Sequence, residues 1–549
     1  MMLLGSINAI PFRRRFGGGG GTPFPYIPGM IARYSGAGLT NEDMSANPVW
    51  KDLTGNGHDL QMKNFGWAGM SGVGGYEFNF LSSDWFIPSD QTIERFSHKI
   101  VIISKRHSAQ LQNTSRLKSI KITIKVTGLE ANGSTLRIYD NIGNDKKQDY
   151  NKDGIYKIDY TANEGANIIF FYAFGGNTGT LDTPITIEQL PLYPGALVFD
   201  GVDDYGTCNN FPIMTKEKGY TVVALRQWIE EKNSVTALAS NSKNWDQDGA
   251  FVFEYNNLEN NYPNIEISFG SNNIFDRGLS PYSYQTSKSY NGNLIESGSF
   301  LGSDKLVVAK ANENLSPNSN IAIWELVFLD HDATEEELTK IKDYFVKTYP
   351  WLFPDQAWTV TGKTNEDEDR ATIASITGNG NDLVLSNFGF IEGSGYNEEG
   401  EYAGYLVTDG VDDSGRTVGL TISKDFTLVG EWILFSKTSV NAGLSIHPQI
   451  HIFNRPEAIR IMFRTADKTL PVKSLKAICS DGRCYDENWS ELKINVGEFT
   501  NNKGTLFVAS NGTNYAQIAF KNLGIYDNQI LSKEDCIKAY NYLQTLKEK

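Results

Sequence analysis

The chain has 549 residues, a length that favours two to four domains over one. Its 40% hydrophobic content excludes a disordered chain, and a net charge of −15 with no offsetting basic stripe excludes a nucleic-acid partner. No run of about 18 apolar residues is present, so a membrane-spanning helix is excluded too.

Residues 1–29 read as a flexible anchoring arm. Leu3, Leu4, Ile7, Ile10, Phe12 and Phe16 alternate with small and polar residues, and Arg13, Arg14 and Arg15 follow the apolar start. A secretory signal places its positive charges before the apolar stretch, so no export signal is read. Five glycines, Gly17 to Gly21, and Pro23, Pro25 and Pro28 complete the arm. Its apolar side chains would be costly to leave in water, which favours docking on a partner through Phe12, Arg13, Arg14, Arg15 and Phe16 over an idle tail.

From residue 30 the chain repeats itself. Leu53-Thr-Gly-Asn-Gly-His-Asp-Leu60 matches Ile376-Thr-Gly-Asn-Gly-Asn-Asp-Leu383, an offset of 376 − 53 = 323. Leu197-Val-Phe-Asp-Gly-Val-Asp-Asp-Tyr-Gly206 matches Leu406-Val-Thr-Asp-Gly-Val-Asp-Asp-Ser-Gly415, an offset of 406 − 197 = 209. The difference, 323 − 209 = 114, is a segment inserted into the first copy between Tyr76 and Leu197. The chain therefore divides into a first module at 30–82 and 192–350, an insert at 83–191, and a second module at 351–549.

Ser119-Ile-Lys-Ile-Thr-Ile-Lys-Val126 alternates with period two, and Ile155 to Tyr160, Ile168 to Phe174 and Ile185 to Leu190 supply further strands. The insert is expected to be a small β-sandwich of its own. Each module ends on a strand followed by a helix, the first beginning near a Thr334/Glu337 capping box and the second near Ser532/Asp535. Leu338, Ile341 and Phe345 share one helical face, as do Cys536, Tyr540 and Leu543.

The apolar strand ending in Asp-Gly, followed after some fifteen residues by Tyr220-Thr-Val-Val-Ala224, resembles the signature of laminin-G-like, concanavalin A-like jelly rolls. The resemblance implies an all-β fold of two tandem sandwiches, each closed by a short helix. Together with Thr-Gly-Asn-Gly-x-Asp-Leu, it is similar to modules of virion appendage proteins, head or tail fibres, of crAss-like phages of gut Bacteroidales. That likeness implies a protein made in a host cytoplasm and carried in the virion. Its partners would be other virion proteins, held through the arm, a host-surface glycan, and further copies of itself. The second copy departs from the pattern at Thr408, which replaces Phe199, and at Ser414, which replaces Tyr205.

Candidate chemistry is sparse. Asp200, Asp203 and Asp204 recur as Asp409, Asp412 and Asp413; such acids cap turns through backbone hydrogen bonds, and clustered carboxylates also suit Ca²⁺. Asp149, Asn151 and Asp153 match the front half of an EF-hand loop, while Tyr160 stands where the bidentate Glu belongs. No cofactor is required, and Ca²⁺ is the metal these acids could take. Trp228 and Trp432 are read as core residues at matching strand positions. Trp245 and Trp489, in polar loops, are read as exposed rings able to stack on sugars. Cys479 and Cys484 enclose a hairpin-like Ser-Asp-Gly-Arg, leaving a disulfide open. No paired acids in a Glu-x-Asp-x-x-Glu strand are found, so a binding or structural role is expected. A bacterial adhesin and a polysaccharide-degrading enzyme are the alternatives.

Overall fold

In the computed structural model, described residues run from 23 to 547, without 88–91, 114–116, 141–146, 165, 167, 215–218, 231–235, 242–251, 257–279, 288–302, 312–317, 379, 436–441, 448–449, 456–457, 464–465, 473, 497–501 and 511–514. The fold is all-β. Both copies build a pair of antiparallel sheets with one connectivity, because the same apolar-polar alternation recurs in the same order.

In the first copy an inner sheet runs in the order Tyr282–Thr286, Thr221–Glu230, Asn320–Leu329, Leu197–Asp200, Gly72–Val73, with Met30–Ser35 also paired to Asn320–Leu329. Its outer partner runs Val49–Trp50, Leu60–Lys63, Tyr205–Asn209, Lys305–Val308, Thr236–Ser240, Val252–Asn256. The second copy repeats both orders. Its inner sheet centres on Ile518–Asp527, flanked by Phe426–Leu434, Tyr405–Val407 and Gln356–Thr359, and beyond them by Leu475–Cys479 and Gly395–Asn397. Its outer sheet has eight strands, in the order Thr372–Ile373, Leu383–Ser386, Ser414–Ile422, Asn502–Val508, Ala442–His447, Ile450–Arg455, Ala458–Phe463, Ala466–Leu470.

Register fixes the equivalence residue by residue. A bulge separates Leu225 from Arg226 opposite Glu325 and Ile323, and the same bulge separates Glu431 from Trp432 opposite Asn522 and Phe520. Leu225 is therefore the counterpart of Glu431, and Arg226 of Trp432. The expected match of Trp228 with Trp432 is wrong by two residues, since the motif gap falls on the wrong side of this bulge. Trp432 is buried in the core, while Trp228 is half-buried and donates to Glu254.

Each sandwich has its own core, Trp50, Leu60, Phe199 and Phe328 in the first and Trp358, Leu383, Trp432 and Phe520 in the second. A further core lies between the copies. Helix Glu335–Thr348, the turn Pro350–Leu352 and helix Lys533–Thr545 pack Ile341, Phe345, Trp351, Ala539, Tyr540 and Leu543 against the outward faces of both inner sheets. The helices form because the N-caps are satisfied: Thr334 with Glu337 makes a full capping box, and Ser532 accepts from the Asp535 amide. The layer order is sheet, sheet, helices, sheet, sheet. Tyr526 donates to the Trp351 carbonyl at 2.8 Å, and Gln227 donates to Thr545 at 2.9 Å, so hydrogen bonds cross the layer as well.

The insert leaves at Gly74–Gly75 and returns at Leu192–Tyr193, where Leu192 N–H donates to Gly75 and Tyr193 N–H to Gly74 at 2.9 and 2.8 Å. Its ends are adjacent strands of backbone, upstream of residue 83. Phe78 and Phe80 already belong to the insert's own core with Trp85, Ile100, Ile122, Ile158 and Ile187. A five-stranded and a four-stranded sheet enclose that core. Ser119–Thr127, Gly154–Thr161, Ile168–Phe174 and Gly179–Gln189 form where the alternation places strands.

Candidate functional site

The recurring Asp-Gly-Val-Asp-Asp turns are the first candidate. Gly201 and Gly410 both sit at φ 75°, the left-handed conformation that such a turn demands and glycine adopts without strain. The three carboxylates of each turn lie within 4.8 Å of one another. Asp204, fully buried, accepts the Asp200 N–H at 3.1 Å and the Ser71 hydroxyl at 3.0 Å; Asp413 accepts the Asp409 N–H at 2.8 Å and the Ser394 hydroxyl at 3.1 Å. Asp200 and Asp409 in turn accept the amides of Val202 and Val411 at 2.8 and 2.7 Å. Asn64 and Asn387 brace the turns by donating to the carbonyls of Asp203 and Asp412, both at 3.0 Å.

Burial pushes the Asp204 carboxyl up to about 7, with Asp200 adding to the effect, and burial likewise raises Asp413. Ca²⁺ takes six to eight oxygens. Here both oxygens of each buried acid, and one of each Asp200 or Asp409, already face N–H or O–H donors. These hydrogen bonds make each cluster the scaffold of its turn.

The EF-hand-like residues separate. Asp149 forms a bidentate pair with Arg137 at 2.6 and 2.7 Å, while Asp153 turns away to accept the amides of Gly128 and Leu129 at 2.9 and 2.8 Å. Asn151 is exposed between them. The expected metal set Asp149, Asn151 and Asp153 is thus corrected: two carboxylates hold a strand pair and a helical turn.

Trp489 is also corrected. It is 3% exposed and packs edge-on to Tyr540, 5.6 Å between ring centroids, so neither face is offered to a sugar. The polar residues around it mislead because Asp486 folds their amides into a tight turn, accepting from Asn488 and Ser490. Trp245 and the arm residues Phe12, Arg13, Arg14, Arg15 and Phe16 lie outside the described residues.

All four cysteines are free. Cys484 points into the second sandwich core beside Ile478, its partner across the hairpin, whereas Cys479 points to the helix layer and meets Cys536. Opposite faces of one strand pair cannot be bridged, which closes the question of a Cys479–Cys484 disulfide.

At the junction of insert and second copy, Glu431 is buried and gathers cations. Lys157 of the insert reaches it at 2.6 Å, Lys476 at 3.8 Å, and the Tyr405 hydroxyl donates to it at 2.6 Å. Burial opposes the charge, but Lys476, Lys157 and Lys521 outweigh it and hold Glu431 well below the usual carboxylate range. One carboxylate serves several ammonium groups, so Lys521 is itself pushed down to about 8 by burial and by Lys157. The copy-one counterpart, Leu225, is apolar. That copy instead buries Glu325 under Arg33, with both guanidinium contacts at 3.0 Å. The Lys157–Glu431 pair joins the insert to the second copy, whereas Arg33–Glu325 ties two paired strands of the first.

The outer sheet of the second copy presents a different surface. One cross-strand row runs Val384, Arg416, Phe507, Ser445, His451, Met462, Asp467. The equivalent row of the first copy is Gln61, Thr207, Val307, Ser240, Val252. A beside-lying row adds Phe453, Arg460 and Thr469. Arg416 is exposed and stands over the Phe507 ring at 5.6 Å; Arg460 stands over Phe453 at 5.5 Å. In the sequence this surface was hidden because its residues come from seven strands, four of them consecutive in 442–470 and the other three distant from these in the chain.

No protein-family model matches the chain, and no curated protein does. Among solved structures, it is similar to the Trypanosoma rangeli sialidase in complex with sialic acid at 10% identity and a TM-score of 0.24, covering 84% of each chain. A truncated AlyQ with CBM32 and alginate lyase domains matches at 11% identity and a TM-score of 0.16, covering 61% of this chain and 90% of that one. The binding domain of botulinum neurotoxin serotype D matches at 10% identity and a TM-score of 0.20, covering 61% and 88%. At these scores the likenesses assign no activity. Among the described residues, no helix is long and apolar enough to cross a membrane.

Proposed function

We propose that the chain is a structural appendage of a bacteriophage virion, a head or tail fibre protein, attached through its N-terminal arm and displaying its sandwiches for adhesion to host-surface glycan. The observation that supports this most is the shared core between the copies. Two sandwiches stacked back to back across a helix layer, with the insert fixed to the second by the Lys157–Glu431 pair, make a stiff body with an outer sheet on each far side. A stiff display body suits adhesion, whereas domain closure around a substrate needs a hinge. In this reading the recurring acids serve as turn scaffolds of the display body.

Complementing a deletion phage with protein lacking residues 1–29, followed by mass spectrometry of purified particles, tests attachment. The truncated protein is expected to fold and to be missing from particles. Full occupancy without the arm would overturn the anchoring role, and absence of the full-length protein from wild-type particles would overturn the appendage reading.

A further inference from the structure

The two copies fasten their closing helix to the inner sheet by one device. In the first, the Thr221 hydroxyl donates to the His331 carbonyl at 2.8 Å and accepts the Ala333 N–H at 2.8 Å, just ahead of the Thr334 N-cap. In the second, the Thr427 hydroxyl donates to the Gln529 carbonyl at 2.9 Å and accepts the Leu531 N–H at 3.0 Å, just ahead of the Ser532 N-cap. This hook fixes where each helix begins over the sheet. Register fixes the strand beside it: Thr221 pairs with Thr286, and Thr427 with Cys479. Four residues past the N-cap stands Leu338 in the first copy and Cys536 in the second. Where the first copy has a threonine and a leucine, the second therefore has two thiols, and the shared scaffold forms either way.

The surroundings of the two thiols define their chemistry. Both are fully buried in the layer between the copies, where they make direct hydrogen-bonding contact. Cys479 lies among groups that favour a thiolate. The Thr427 hydroxyl is 3.9 Å from its Sγ, and the neighbouring Arg483 guanidinium is held in place by donating to the Leu531 carbonyl at 3.2 Å. Contact with Cys536, assisted by Arg483 and Thr427, holds the Cys479 thiol below its usual value against burial; the same contact, together with burial, pushes Cys536 up. Cys536 belongs to the first helical turn, behind exposed Ser532, Lys533 and Glu534, and terminal turns open more readily than helix interiors. That opening gives a small reagent its way in.

We infer that Cys479 and Cys536 are a disulfide-forming pair, free on synthesis and joined by reaction with a small-molecule disulfide once the chain leaves a reducing compartment. The Cys479 thiolate attacks one sulfur of the small disulfide and expels its other half. The Cys536 sulfur then attacks the sulfur bonded to Cys479 and expels the second half. Each expelled thiolate takes up one of the protons given up by Cys479 and Cys536. The two protein thiols are oxidised to a disulfide, and the small disulfide is reduced to two thiols. The new bond ties the closing helix to the inner sheet of the second copy, at the layer the two copies share. It also closes a long loop, from 479 to 536, and so removes freedom from the unfolded chain.

Incubation of the full chain with glutathione disulfide, then alkylation in denaturant and peptide mass spectrometry, tests this. The expected product carries a Cys479–Cys536 cross-link and leaves Cys208 and Cys484 open to alkylation. Dithiothreitol should restore all four free thiols. The melting temperature by circular dichroism should rise by about 5 °C or more on oxidation and fall back on reduction. Cys536→Ser should abolish both the cross-link and the shift, while Cys484→Ala should keep both. Four alkylatable thiols after prolonged incubation, glutathione retained on one cysteine, or a cross-link through Cys208 or Cys484 would overturn the pairing. A mapped Cys479–Cys536 bond that leaves the melting temperature unchanged or lowers it would overturn its locking role.

Discussion

Asp204 and Asp413 hold the same place in the two copies, each a buried acid closing a turn beneath an exposed valine, Val202 or Val411. The ordinary aspartate value of 3.8 rises to about 7 at Asp204 because burial disfavours the charge. Between those values the folded chain keeps a proton that the unfolded chain has released. Protonation therefore favours the native state, and this contribution is complete below about pH 4 and lost as pH rises through 7. Asp204→Asn imitates the protonated form, so urea unfolding from pH 4 to 8 should show a flatter decline in the variant. Parallel curves for parent and variant would refute the assignment. Glu431 behaves in the opposite sense. Its depressed value makes its contribution complete above the ordinary 4.5 and lost only in strong acid. Glu431→Gln leaves Lys157, Lys476 and Lys521 crowded without their counter-charge, and is expected to cost about 3–5 kcal/mol at pH 7. Acids such as Asp204 were visible as a repeat, but their hydrogen-bond partners Ser71 and Ser394 were not, because they arrive from distant loops. Trp489 shows the converse: polar neighbours in sequence say nothing about a ring that the fold covers with Tyr540.

At the scale of elements, the closing helices and the insert follow from local pattern. The Thr334 capping box and the Ile341–Phe345 stripe identify a helix before any contact is known. What local pattern omits is the destination of the apolar face. Each helix was expected to close its own sandwich, yet Leu543 and Tyr540 lie in a core shared with Ile341 and Phe345 of the preceding copy. Leu543→Ala should lose about 2–5 kcal/mol, the range for a buried leucine truncated to alanine. Circular dichroism melts will measure it, and a loss under 1 kcal/mol would mean the layer is loosely packed. Offset arithmetic located the insert, and backbone hydrogen bonds at Gly74–Tyr193 sharpen its ends. Replacing residues 76–191 with a short linker should leave both sandwiches folded, since the insert core shares no residue with theirs. The price is the Lys157 contact to Glu431, so the truncated chain should melt lower than the parent while keeping a β-sheet spectrum. A molten spectrum would count against an autonomous insert.

The whole molecule is governed by that middle layer. Motif repeats imply two similar modules and are silent on their arrangement, because the residues that join them, Trp324, Tyr349, Trp351, Tyr526 and Tyr542, read as ordinary core positions. Separate modules on a linker would unfold in separate steps. Here neither inner sheet can lose its partner without exposing the helix layer to water, and the buried apolar surface of that layer opposes independent opening. Differential scanning calorimetry of the intact chain is therefore expected to show both sandwiches melting in one transition. Trp351→Ala, which removes a ring packed edge-on to Tyr349 at the centre of the layer, should split that transition into two or move both sandwiches downward together. Two well-separated transitions in the parent protein, with only one shifted by Trp351→Ala, would show that the copies are thermodynamically independent and would remove the stiffness on which the appendage reading depends.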